Sequence, residues 1–217
     1  MNNAPQPPEV PQAARGAIEA LRRFSRPRVT GERCDLCAAP LAPDHQHLLE
    51  PANRKLVCSC DACAILFSDT ASRKYRRVPR RVELLDDFQM TDLQWEAFGI
   101  PISLAFFFYS SPNEQMLSVY PSPAGGTEAI IPADAWQLLA AENPVLDLLE
   151  PDVEALLVNR MNGARDYHRV PIDECYRLVG LIKTHWRGLS GGAEVWKHFT
   201  IFFQELKAKS AGVSSHA

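Results

Sequence analysis

Cys34-Asp-Leu-Cys37, followed after twenty intervening residues by Cys58-Ser-Cys60-Asp-Ala-Cys63, decides how the front of this chain folds. Five of the six cysteines fall in these thirty residues. Two Cys-x2-Cys pairs at that separation are the spacing of a closed metal site. A tight turn between cysteines three apart lets both sulfurs face one ion, while N–H groups of the turn hydrogen-bond to the thiolates. Cys34, Cys37, Cys60 and Cys63 make the two like-spaced pairs and are the expected ligands. Cys58 is left over, two residues before Cys60 and on the same side of an extended strand. It is an alternate ligand, as are His45 and His47, which alternate onto one face. Zinc is the expected ion, with iron as the alternative, because four thiolates also make a rubredoxin-type iron site.

The residues between the pairs supply a hairpin that brings them together. His47-Leu-Leu-Glu50 and Lys55-Leu-Val-Cys58 read as strands around a turn at Pro51-Ala-Asn53. Large apolar residues are few here, so metal binding is expected to supply most of the folding free energy. The region therefore reads as a zinc-ribbon or rubredoxin-like module over residues 31–70. Before it, residues 1–30 read as a disordered, proline-rich start and a short amphipathic helix over 13–24.

After the module comes a basic connector over 71–90, with Arg73-Lys-Tyr-Arg-Arg-Val-Pro-Arg-Arg81 at its centre. Residues 91–209 read as an α+β domain, a mainly antiparallel sheet covered by helices. Strands are expected over 102–109, 115–121, 128–131 and 153–158. Helices are expected to open at Pro132 and Pro171, the second with Ile172, Cys175, Val179, Ile182 and Trp186 on its apolar face. A last helix carries Val195, Phe199, Phe202, Phe203 and Leu206 on one side. Residues 210–217 read as a disordered tail.

Composition is that of a globular protein: 46% apolar and 23% charged over 217 residues. Absence of an eighteen-residue apolar run predicts no membrane insertion, and the start does not read as a signal peptide, so a cytoplasmic protein is expected. Charge is uneven. Residues 1–81 carry 14 Lys/Arg against 8 Asp/Glu, and residues 82–217 carry 9 against 18. An acidic second unit argues against a nucleic-acid partner, although the basic connector beside a metal module keeps that reading as an alternative. No GxSxG, HExxH or nucleophile–base spacing emerges, so no catalytic residue is named and enzymatic activity is not expected.

Cys34-Asp-Leu-Cys37, Cys58-Ser-Cys-Asp-Ala-Cys-Ala-Ile-Leu-Phe67, Phe108-Tyr-Ser-Ser-Pro112, Tyr120-Pro-Ser-Pro-Ala-Gly125 and Trp186-Arg-Gly-Leu-Ser-Gly-Gly192 carry a further signal. Together with Pro171-Ile-Asp-Glu-Cys-Tyr-Arg-Leu-Val-Gly180, they resemble an uncharacterised bacterial family encoded near nickel–iron hydrogenase and hydrogenase-maturation genes. The resemblance implies a context: an accessory or adaptor protein that assists assembly, maturation or protection of a hydrogenase. Its partner would be a hydrogenase subunit or a maturation factor. A rubredoxin-like electron carrier is the alternative expectation.

Overall fold

Runs of β-branched and aromatic residues, broken by short polar turns, build the larger of two antiparallel sheets. The computed structural model describes residues 31–68 and 74–213. The helix expected over 13–24 and the segment before it lie outside the described residues.

At the centre of the larger sheet, β5 (Leu104–Ser110) pairs with β6 (Gln115–Ser122) and with β8 (Glu154–Asn159). β7 (Gly125–Ile130) flanks β6, and β9 (Asp166–Pro171) pairs with β8. A two-residue strand, β4 (Glu83–Leu84), closes the far edge on β9. The order is β4-β9-β8-β5-β6-β7, and every pairing is antiparallel.

Side chains on the central strands alternate between two cores. Phe106, Phe108, Leu117, Ala155 and Leu157 face two helices, α4 (Ile172–His185) and α5 (Gly192–Val213). Ile172, Cys175, Leu178 and Ile182 from α4 meet Val195, Phe199, Phe202 and Leu206 from α5 on this side. Ala105, Phe107, Leu156 and Val158 face the other way, against α2 (Asp92–Ala97) and α3 (Ala133–Glu142). There Phe107 packs among Trp95, Phe98 and Trp136, with ring centroids 5.1–6.1 Å apart. β8 is buried along its whole length because helices cover both faces. Thr91 caps α2 and forms a reciprocal capping box with Gln94.

A smaller, three-stranded sheet belongs to the cysteine-rich region. β1 (Gln46–Glu50) and β2 (Lys55–Ser59) form the expected hairpin, and α1 (Asp61–Phe67) follows directly. β3 (Arg76–Arg77) comes from the basic connector and pairs with Leu48 and Leu49 of β1. Part of the connector therefore belongs to the sheet, and four of its arginines are engaged within the chain. Arg77 donates to Gln46 Oε1, Arg76 pairs with Asp152 at 3.1 Å, Arg80 with Asp44 at 3.2 Å and Arg81 with Glu154 at 3.1 Å.

The hairpin has two apolar faces. Leu48 and Val57 pack on Ala64 of α1, whereas Leu49 and Leu56 turn into the helix-covered core of the larger unit. Arg54 at the hairpin turn also pairs with Glu128 of β7 at 2.6 Å. At the other end of the chain, α5 continues to Val213, past the boundary at 210 where a disordered tail was expected.

The glycine-rich stretch before α5 is a helix–helix turn. Gly191 has φ +88°, and a Cβ there would lie 2.8 Å from Val195 Cγ1 and 3.3 Å from the Trp186 ring, so only glycine fits.

Candidate metal centre

Asp35 locks the first cysteine pair onto the hairpin. Its N–H donates to the Cys58 carbonyl at 2.9 Å, and its Oδ2 accepts from the Cys58 N–H at 2.8 Å. The turn itself closes through Ala38 N–H to the Cys34 carbonyl, with Ala38 in the left-handed region at φ 62°. The second pair is built differently from the first. Cys60 is the residue before α1 and Cys63 sits in its first turn, so a helix rather than a second free knuckle aims these two sulfurs.

These elements bring the four expected ligands together. The Sγ atoms of Cys34, Cys37, Cys60 and Cys63 all lie within 4.8 Å of one another. Cys37 Sγ and Cys60 Sγ are 3.7 Å apart. Two sulfurs at corners of a tetrahedron, each about 2.3 Å from an ion, would be about 3.8 Å apart. A disulfide needs about 2.05 Å, and all six cysteines are free thiols. Cys34 and Cys63 are buried, Cys60 is half-buried and Cys37 is exposed, so the cluster opens to solvent on one side. The arrangement can hold a metal ion.

Electrostatics within the cluster point the same way. Burial works against the Cys34 thiolate, but N–H groups of Cys60, Leu36 and Cys37 outweigh it and bring this thiol down to about 6. Cys63 is pushed up to about 12, first by burial and then by hydrogen bonding with Cys37, Cys60 and Cys34. Without a cation, negative charge on one sulfur opposes ionisation of the next. A divalent ion removes that conflict, since a coordinating thiol is deprotonated outright.

The three alternate ligands do not join this cluster but form their own. Cys58 Sγ and one ring nitrogen each of His45 and His47 lie within 4.8 Å of one another. Burial, followed by the charges of Asp35, Glu32 and Cys34, pushes the Cys58 thiol up. Hydrogen bonding to Asp173 at 2.7 Å raises the pKa of His47. Asp173 lies 126 positions away in sequence, which is why sequence reading missed it. The sixth cysteine, Cys175, is wholly buried on α4, and desolvation holds its thiol far above the usual range.

No helix among the described residues is long and apolar enough to cross a membrane. A family model described as "Family of unknown function (DUF5947)" matches residues 33–210, so the chain belongs to that family. No curated protein and no solved structure matches the chain.

Proposed function

We propose that this member of DUF5947 is a metal–thiolate adaptor in which Cys34, Cys37, Cys60 and Cys63 hold one zinc ion. The ion staples the first turn, the hairpin and α1 into a ribbon-like docking module carried on the α+β unit. The single observation behind this reading is the convergence of four unbridged sulfurs at tetrahedral spacing. Four thiolates at this spacing suit a structural zinc ion, with iron as the alternative.

A protein partner is supported by α1 itself. Ile65 and Leu66 are 70% and 69% exposed, adjacent to the ligand Cys63. The resemblance to a family encoded beside nickel–iron hydrogenases names the partner class: a cytoplasmic hydrogenase subunit or maturation factor. Tagged protein from hydrogen-oxidising cells should capture such a subunit, and Ile65→Ser/Leu66→Ser should abolish capture. Recovery of none of these partners by the wild type would refute the adaptor reading.

Exposure of Cys37 favours one second reading, a rubredoxin-like electron carrier, because a sulfur at the surface gives electrons a short path to an ion. That reading requires a red protein with thiolate-to-iron absorption and a reversible one-electron couple. A colourless protein with stoichiometric zinc excludes it. Binding of DNA or RNA by the connector is not carried forward, since Arg76, Arg77, Arg80 and Arg81 have partners within the chain.

A further inference from the structure

We infer that His45, His47 and Cys58 form a second metal site, separate from the four-cysteine cluster, at the junction of the hairpin and α4. Strand register makes the site. His47 stands directly opposite Cys58 in the β1–β2 ladder, and His45 precedes His47 by two residues, so all three side chains share a face. This is the face that carries Leu49 and Leu56 into the main core, and it looks towards the start of α4.

Both imidazoles are held as metal-binding imidazoles are held. Metal-ligating histidines nearly always commit one ring nitrogen to a carbonyl or carboxylate, which fixes the ring and leaves the other nitrogen for the ion. His45 Nδ1 hydrogen-bonds to the Ala42 carbonyl at 2.9 Å, and His47 Nδ1 to Asp173 Oδ2 at 2.7 Å. The remaining nitrogen of His45, Nε2, is buried and has no hydrogen-bond partner, on a side chain only 7% exposed. A buried acceptor left without a partner is destabilising unless something binds it. The two rings meet edge to face with centroids 4.8 Å apart.

Two imidazoles and one thiolate suit a borderline-soft first-row divalent cation such as Zn2+ or Co2+. Three protein ligands leave the fourth tetrahedral position for water or a small anion, as in sites with an exchangeable ligand. Asp173 acts here as a positioning residue: it orients His47 from the larger unit and so ties metal binding to docking of the hairpin on α4.

Reduced, metal-free full-length protein titrated with Co2+ alone tests the assignment. The wild type should take up two equivalents, one with the intense thiolate-to-cobalt absorption of a four-sulfur site. Cys58→Ser and His45→Ala should each lower uptake to one equivalent while that absorption persists, which also shows that the module still folds. Asp173→Asn should keep two equivalents but weaken the second 10–100-fold. Uptake of a single equivalent by the wild type, or of two by His45→Ala, would overturn the second site and leave the four-cysteine site standing. Loss of the four-sulfur absorption in Cys58→Ser would overturn it as well, by making Cys58 a ligand of the first ion. A wild type without that absorption would instead contradict the four-cysteine reading.

Discussion

The hairpin around Leu48 and the sheet around Phe107 are both antiparallel and both pack against helices, yet they bury very different amounts. Among the described residues, the module's own core is Leu48, Val57 and Ala64. The larger unit has two cores, of twenty-one buried residues (Leu49 of the hairpin among them) and twelve. At about 1.5–3 kcal/mol for a buried leucine or valine and less for alanine, these three residues fall below the roughly 10–16 kcal/mol that structural zinc supplies in isolated fingers. In one region hydrophobic burial decides the fold. In the other, little is buried beyond Leu49 and Leu56, which are anchored in the neighbouring core, and on the proposed reading an ion would supply the rest.

Metal removal should separate the two regions most sharply. A chelator, or Cys34→Ser with Cys63→Ser, should open residues 33–68 to protease and hydrogen exchange while the central strands β5 and β8, buried at every position but Tyr109, stay protected. Protection of residues 33–68 that survives metal removal would show that the module is not held by an ion.

The next largest effect lies in the larger unit and involves no metal. Glu154 is fully buried and accepts from Arg169 Nε at 2.9 Å and from Arg81 at 3.1 Å. Burial alone would raise its pKa, but these donors and the Glu150 N–H outweigh it and hold the carboxyl below its usual range. Arg169→Met should cost about 3–5 kcal/mol in urea unfolding by stranding that carboxylate, and adding Glu154→Gln should recover part of the loss. Additive losses would contradict the pairing.

A smaller, pH-dependent effect comes from His168, whose ring lies wholly buried with both nitrogens unpartnered. Desolvation lowers its pKa from 6.5 to about 4. Between those values the unfolded chain binds a proton that the folded chain does not, so stability falls as pH drops through this window. The loss should be on the order of 3 kcal/mol. His168→Leu should flatten the urea midpoint between pH 6.5 and 4, and an unchanged slope would show that another group titrates there. Thr91→Ala should have the least effect, about 1 kcal/mol from the lost cap of α2, with metal content unaltered.

Legibility of the sequence follows the same division. The cysteine spacing identified the four sulfurs that converge, because ligand geometry imposes a local pattern. β5, β6, β8 and the two C-terminal helices were legible from apolar runs and turn residues. β9 was not, because Tyr167-His168-Arg169 reads as polar. Its burial depends on Glu154 of the neighbouring strand, which no local pattern reveals. β3 was missed for a similar reason: two arginines look like a solvated connector until Gln46 and Asp152 are seen to receive them. The separate His45, His47 and Cys58 cluster was visible only as a set of alternates, since pairing of His47 with Cys58 depends on hairpin register.

Metal content tests the account most directly. Protein purified from its native host under reducing conditions should carry zinc, and Cys34→Ser with Cys63→Ser should lose one full equivalent. A wild type that emerges free of metal, or with Cys37 and Cys60 joined as a disulfide, would contradict it.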